Sequence, residues 1–399
     1  MPASIPRRVL PVVIAAQFAG TSMWFAGNAV LDDLRRVIAV PEGALGSLTS
    51  AVQLGFIVGT LAYAVLLVSD RFSPSRVFLA SALLGASCNA AIALGTGWTD
   101  AVGVSDYAGV LALRFATGFF LAGIYPVGMK IAADWFAAGL GRARGDLVGA
   151  LVLGTAFPHL LRAVASVVPW QSVLVGTSVL AVAGGVAVWR WIPDGPYRKP
   201  SGAFRPGAIV DAFRAPRFRA AALGYFGHMW ELFAFWAFVP VALAFRFPGA
   251  AERTVSLGSF AVIAVGSLGC VLGGLATLRV GSARVAAVTL AVSGAMCLAS
   301  PLVFALPLSA FVVAMAVWGF AVVADSPQYS ALVARYAAPE SRGSALTIVN
   351  SIGFAITIPS IHLLTTLSAR SQVPWIYLAL AVGPMLGLLA MRGLAVERA

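Results

Sequence analysis

The sequence predicts an all-α membrane protein with twelve transmembrane helices in two pseudo-symmetric six-helix halves. Of its 399 residues, 60% are hydrophobic and only 11% are charged, a composition that excludes a water-soluble surface at this length. The apolar runs have about the 20 residues that a membrane-crossing helix needs, whereas a barrel strand needs about 10. Short motifs also recur between the two parts of the chain, as they do in secondary transporters built from repeated halves.

The apolar runs place the helices in order along the chain. We predict helices at 9–30, 46–69, 77–97, 107–133, 146–168, 171–192, 219–245, 256–278, 285–306, 308–334, 344–367 and 373–392. Residues 1–192 and 219–399 then form the two halves. The connection over 193–218 is rich in Pro, Gly and Arg and too charged to cross a bilayer, so we predict a linker there.

Two motifs carry the internal repeat. A charged turn with Arg71 and Arg76 lies between two apolar runs, and it returns in the second half with Arg279 in the place of Arg71. An Arg-Gly pair that opens an apolar run at 144–145 likewise returns at 342–343. Agreement between independent motifs at a similar offset favours duplication of one half.

The distribution of basic residues predicts the orientation of the chain. The net charge is +12, but the Lys and Arg residues concentrate at one set of helix ends, which argues for a membrane topology and against nucleic-acid binding. By the positive-inside rule, both termini and the linker face the cytoplasm from the plasma (inner) membrane, where the basic linker can touch anionic lipid headgroups. Cys88, Cys270 and Cys297 each fall inside a predicted span, so we expect no disulfide framework, metal site or cofactor.

These motifs resemble the major facilitator superfamily over essentially the whole chain. The loop between the second and third helices of that family reads roughly G-x-L-x-D-R-x-G-R-K, and residues 66–75 occupy it with Asp70 and Arg71 in place. Both glycines and both final basic residues of the pattern are replaced in this chain. The family's fourth-helix pattern, an Arg followed by Gly four residues later, is met by Arg114 and Gly118.

The resemblance implies a monomeric secondary transporter with the superfamily fold, which moves a small-molecule substrate by alternating access. It also implies a gating loop, or cytoplasmic latch, formed by Asp70, Arg71, Arg76 and Arg279. The fifth-helix antiporter pattern G-P-x-x-G-G is not met at 157–162, which weakens an assignment to the drug antiporters.

Ionisable side chains inside the spans of the first half are candidate substrate ligands. Each costs roughly 2.5–3.5 kcal/mol on the insertion scale and therefore needs an explanation. His159 and Arg162 are three residues apart and share one helix face, directly after Pro158. Arg114 and Arg162 fall at comparable depth, which favours an anion bound by both. The alternative is a structural role in which the two arginines bind backbone carbonyls.

The second half carries a different set of polar residues. His228 and Glu231 share a helix face beside Trp230, and Asp325 and Gln328 flank a proline that interrupts the tenth helix. Burial favours the neutral form of an acid, so we predict Glu231 as the proton-coupling residue and the other four as substrate ligands. The alternatives are a fixed pair of Glu231 with His228 or an arginine, and a simple kink or gate at Asp325.

The sequence therefore favours a secondary transporter of a small organic or inorganic anion, coupled to protons. Export of cationic or lipophilic compounds is the alternative, with Glu231 and Asp325 as anionic sites. An enzyme is not expected, because no G-x-S-x-G elbow, phosphate-binding loop or metal-spaced Cys/His cluster occurs. A receptor that has lost transport is disfavoured, because it has no reason to keep ionisable residues inside its spans.

Overall fold

Helices account for nearly all of the regular structure, as the long apolar runs require. The computed structural model describes residues 6–94, 106–136, 140–164, 168–198 and 205–396. Within that part, ten helices are long and apolar enough to cross a membrane, and two shorter apolar helices bring the set to twelve. A helix satisfies its own backbone polar groups, which is why it suits a span in hydrocarbon.

The twelve helices follow the order of the predicted spans. They are α1 (Val9–Thr21), α2 (Ala44–Val65), α3 (Pro74–Leu94), α4 (Asp106–Trp135), α5 (Ala143–Val164), α6 (Gln171–Trp191), α7 (Pro216–Arg246), α8 (Glu252–Val280), α9 (Ser282–Leu298), α10 (Leu308–Tyr336), α11 (Arg342–Ser368) and α12 (Val373–Leu394).

Several predicted spans are interrupted. The prediction of one continuous helix over 9–30 is wrong, because α1 ends at Thr21 and a turn precedes the short helices Ala26–Ala29 and Leu31–Val37. Likewise, α9 stops before a separate helix at Ser300–Ala305. In α10 the first helical segment ends at Ala324, and the second begins after Asp325 with a proline in its first turn, the position where a missing N–H does least harm.

The linker is more structured than its composition suggests. It contains a short helix, Ala208–Arg214, which the sequence analysis did not predict. The ring of Phe213 lies 5.6 Å from that of Phe218 and 6.4 Å from that of Phe226. These aromatic contacts hold the helix against the start of α7. Residues 199–204 of the predicted linker, with Lys199, lie outside the described residues.

The first of two compact units contains the charged residues predicted for the first half. It comprises Met1–Ala143, Ala150–Pro200 and Ala251–Phe260. Inside it, α2 and α4 cross closely, because Gly55 faces the backbone of Phe115 and Gly118 faces the backbone of Val52. A Cβ atom at either glycine would collide with a main-chain carbonyl. The small residues that mark this crossing in the sequence therefore set the helix separation.

The second unit is organised around α7. It comprises Arg144–Gly149, Ser201–Ala250 and Ala261–Ala399. Helix α7 is buried along most of its length, and it meets α12 where Gly227 and Gly383 bring the two backbones together. This packing turns His228 and Glu231 into the interior of the unit. The predicted domain boundaries at 192 and 219 stay a prediction.

Candidate functional site

Glu231 lies in a pocket of neutral hydrogen-bond donors. Its side chain is on α7 and only 1% exposed. Its Oε1 atom accepts hydrogen bonds from the Ser293 hydroxyl, from the Cys297 thiol at 3.2 Å and from the Trp318 indole N–H at 3.0 Å. In the described part of the chain, no Lys, Arg or His lies within ion-pair distance of this carboxyl group. The alternative of a fixed Glu231 ion pair is therefore wrong for the described residues.

His228 is paired with a different acid. Its Nδ1 atom lies 2.9 Å from Oδ1 of Asp325, and both side chains are only 1% exposed. The ring of His228 is flanked by those of Tyr225 at 6.0 Å and Tyr329 at 5.6 Å. The three-residue spacing does place His228 and Glu231 on one face of α7. The imidazole nevertheless pairs with Asp325, which lies at the interruption of α10, and not with Glu231.

The surroundings of this pair contain polar atoms that have no partner. Among the described residues, Nε2 of His228, Oδ2 of Asp325, Nε2 of Gln328 and Oη of Tyr329 are buried and lack a hydrogen bond. Buried polar atoms are almost always hydrogen-bonded. The four side chains therefore have unused capacity for a proton, a water molecule or a polar ligand.

Tyr329 is a member of this cluster that the sequence analysis missed. A signal was present, because Tyr329 follows Asp325 by four residues and helical periodicity places such residues on one face. Trp230 is separate from the cluster. Its indole N–H donates to the Ala379 carbonyl at 3.0 Å, and the side chain is half-buried. Its role as a substrate ligand stays a prediction.

Arg114 donates hydrogen bonds to the backbone at the interruption after α1. Its guanidinium donates to the carbonyls of Met23, at 3.1 Å, and Trp24, and to the side-chain oxygen of Asn89 at 3.2 Å. The end of a helix leaves carbonyls without intrahelical partners, and Arg114 supplies donors to two carbonyls in the turn that follows α1. The side chain is fully buried, and no acid in the described residues forms an ion pair with it.

Arg162 binds two acids that the sequence analysis did not single out. Its Nη2 atom lies 2.8 Å from Oδ2 of Asp33 and 2.6 Å from Oε1 of Glu252. Burial raises the pKa of Asp33, and the positive charge of Arg162 opposes that shift. His159, one turn before Arg162, is 3% exposed, and its Nε2 atom has no hydrogen-bond partner in the described residues. The structure thus gives both predicted anion-binding arginines partners within the protein.

The predicted gating loop is attached to α4 and to the first residues of the linker. Asp70 forms an ion pair with Lys130 on α4 at 3.0 Å. The Arg198 guanidinium donates to the carbonyls of Asp70 at 3.0 Å and Phe72 at 2.8 Å.

The other three predicted members of the loop behave differently from Asp70. Arg71, Arg76 and Arg279 are exposed and form no ion pair with another described residue. Exposed cations are well solvated, so none of them needs a partner. The gating role of all four residues stays a prediction.

Comparison with known proteins identifies the family. The family model described as Major Facilitator Superfamily matches residues 12–360. The chain belongs to the Major Facilitator Superfamily (MFS). Its fold is similar to that of the MFS transporter FucP in the outward conformation, with a TM-score of 0.70 at 14% identity, covering 96% of this chain and 98% of that one. The predicted fold class is thereby confirmed.

Two further solved structures show the same MFS fold. The human organic anion transporter MFSD10 (TETRAN) superposes with a TM-score of 0.69 at 17% identity, covering 96% of this chain and 99% of its own. A bacterial homologue of the human lysosomal transporter Spinster, in an inward-facing and unoccupied conformation, superposes with a TM-score of 0.67 at 15% identity. The match covers 99% of this chain and 95% of that one. No curated protein matches the sequence. At these identities the likeness shows the fold alone.

Family membership establishes the broad class of activity. MFS proteins are transporters of small molecules and not enzymes, so the chain is an integral membrane protein of the secondary transporter class. The predictions of transporter and of non-enzyme are both confirmed.

Proposed function

We propose that this MFS protein couples the transport of a small organic or inorganic anion to protons, with Glu231 as the proton-carrying residue. The observation that supports the coupling role is the environment of Glu231, a buried acid with three neutral donors and no cation at ion-pair distance in the described residues. A nearby cation stabilises the ionised form of a carboxylate and so opposes its protonation. A carboxylate held by neutral donors can exchange a proton whenever water reaches it.

The energetics agree with exchange at Glu231. A buried ionised group without a counter-ion costs several kcal/mol after relaxation, and hydrogen bonds to a charged group return about 1.5–3 kcal/mol each. Two opposing terms of similar size leave the protonated and ionised forms close in free energy. A proton-coupled carrier needs this balance, because it must bind the proton on one side of the membrane and release it on the other.

The anionic substrate is supported by the charge of Arg114. That guanidinium is buried, and in the described residues no acid forms an ion pair with it. The contribution of Arg162 is weaker than the sequence suggested, because Asp33 and Glu252 already compensate its charge. The unpartnered Nε2 atom of His159 adds a neutral donor or acceptor on the same helix as Arg162.

Export of cationic or lipophilic compounds is the second candidate. It is favoured by the two buried acids of the second unit, Glu231 and Asp325, and above all by Oδ2 of Asp325, which lacks a donor in the described residues. His228 offsets this charge only when it is protonated. A cation would therefore find unused acceptors near α10.

Replacing Glu231 by glutamine tests the coupling role. The substitution keeps the volume and removes the charge, so purified Glu231→Gln in proteoliposomes should lose gradient-driven accumulation and retain exchange of substrate across the membrane. Glu340→Gln is the matched control, because Glu340 is an exposed acid of the same unit and should behave as wild type. Uphill accumulation by Glu231→Gln at the wild-type rate refutes the role.

A ligand screen separates the two substrate classes. Thermal unfolding of the purified protein is measured with inorganic anions, organic acids and cationic dyes at two pH values. Stabilisation by an anion supports the proposal. Stabilisation by cations alone, lost in Asp325→Asn or Glu231→Gln, supports the export alternative.

We propose in addition that the protein lies in the plasma (inner) membrane with both termini in the cytoplasm. The support is the excess of Lys and Arg at one set of helix ends.

A further inference from the structure

Three different donors meet at one oxygen atom in the second unit. The Ser293 hydroxyl and the Cys297 thiol lie one turn apart on α9, and the Trp318 N–H comes from α10. All three contact Oε1 of Glu231, and all three side chains are no more than 1% exposed. A neutral carboxyl oxygen has little need of three donors, whereas an ionised oxygen accepts them readily.

We propose that Ser293, Cys297 and Trp318 are positioning residues that set the pH at which Glu231 binds and releases its proton. This inference rests on the proposed coupling role of Glu231. Hydrogen bonds to the ionised form favour that form over the protonated one. Each donor therefore lowers the cost of ionising Glu231 where no cation is present to do so.

The packing around Trp318 keeps its N–H directed at the carboxylate. The indole lies 4.8 Å from the ring of Phe235 and 5.4 Å from that of Tyr377. The Tyr377 hydroxyl itself donates to the Phe238 carbonyl at 2.8 Å. A fully buried indole packed against two rings has little room to turn away from Glu231, so the donor is preorganised for the ionised state.

Other ionisable groups lie near Glu231, but among the described residues none of them is a cation in contact with its carboxyl group. His228 lies one turn earlier on α7 and is paired with Asp325 of α10. Tyr329 on α10 and Tyr377 on α12 are phenols, and Cys297 on α9 is a thiol, so none of these is expected to carry charge at neutral pH. His362 on α11 is exposed. The neutral donors are thus the direct contacts that distinguish the two charge states of Glu231.

Infrared difference spectroscopy tests the inference without measuring transport. The C=O stretch of protonated Glu231 is identified in the purified protein by its absence in Glu231→Gln, and its amplitude is followed against pH. In Ser293→Ala the pH midpoint of this band should move upward by about 1–2 units, the equivalent of one hydrogen bond to a charged group. Cys297→Ala should give a smaller upward shift, because a thiol is a weak donor.

Matched controls come from the same unit. Ser360 and Cys270 are fully buried and donate to the main-chain carbonyls of Thr357 and Val323. Ser360→Ala and Cys270→Ala should leave the midpoint of the Glu231 band unchanged. Cys297→Ser keeps a donor at the same place, so its midpoint should not rise.

The outcomes separate this inference from the function on which it rests. Unchanged midpoints in Ser293→Ala and Cys297→Ala overturn the role of the donors, and equal shifts in the two controls overturn it as well. If Ser293→Ala does not fold, the comparison of Cys297→Ala with Cys297→Ser decides. If the midpoints shift as expected while Glu231→Gln still accumulates substrate uphill, the coupling role fails and the effect of the donors stands.

Discussion

Removal of the Arg114 side chain should destabilise the protein, whether or not the residue also binds a ligand. Three buried acceptors receive hydrogen bonds from this guanidinium, namely the carbonyls of Met23 and Trp24 and the side-chain oxygen of Asn89, and the Met23 carbonyl also accepts from the Ala26 N–H at 3.5 Å. In Arg114→Gln the shorter side chain cannot reach all three. A lost hydrogen bond from a charged group costs about 1.5–3 kcal/mol, so the loss of three would cost about 4.5–9 kcal/mol if the effects added. Because they seldom add fully, we expect about 3 kcal/mol or more.

Thermal unfolding of the purified protein in detergent measures this loss. By analogy with domains of 150–250 residues, where 1 kcal/mol shifts the Tm by about 2–4 °C, the variant should melt lower by about 6 °C or more. Arg35→Gln is the control, because Arg35 pairs with Asp32 at the surface, where both side chains are largely exposed, and such pairs contribute little.

An unchanged Tm in Arg114→Gln would refute the structural role. Arg114→Lys separates the two functions of the residue, because lysine keeps the charge and loses the forked geometry. If Arg114 also binds the anion, Arg114→Lys should weaken ligand binding beyond the effect of its lower stability. The expected loss in Arg114→Gln is about ten- to a hundred-fold, the equivalent of one charge-assisted hydrogen bond.

Three further predictions concern the latch residue Asp70, the ion pair of Arg162 with Asp33, and the membrane topology of the linker. Asp70→Asn removes the ion pair with Lys130, so we expect slower transport with substrate affinity within a few-fold of wild type, and a wild-type rate in a vesicle assay would remove Asp70 from the latch. Arg162→Gln leaves Asp33 buried without its main cation, and because burial already raises the pKa of Asp33, ionisation of this acid becomes more costly in the variant. The Tm difference from wild type should therefore widen as the pH rises through the titration of Asp33, and a constant difference contradicts this account. Cysteines introduced at exposed positions of 205–216 should react with membrane-impermeant thiol reagents only from the cytoplasmic side, and labelling of intact cells from outside would reverse the topology.

The membrane class, the number of helices and the superfamily could all be predicted from the sequence. Hydropathy over about 20 residues is a local property, and it decides whether a helix can cross a bilayer whatever surrounds it. Motifs such as Asp70-Arg71 and Arg114 with Gly118 are local as well. The interruption of α10 was visible in Pro327. The interruption after α1 was not, because no proline marks it, and the glycine, serine and threonine found there are common inside membrane helices.

The partners of the buried charges were decided by the tertiary structure alone. Helical periodicity shows which side chains share a face, and on that basis His228 was a candidate partner of Glu231 and Arg162 of an anion. It does not show what lies opposite that face. The packing of α7 against α9 and α10 pairs His228 with Asp325 and surrounds Glu231 with neutral donors, and it is helix packing again that brings Asp33 to Arg162. Ion pairs and hydrogen bonds act over about 3 Å, so the residues that complete them come from whichever helix the fold places there, however distant in sequence.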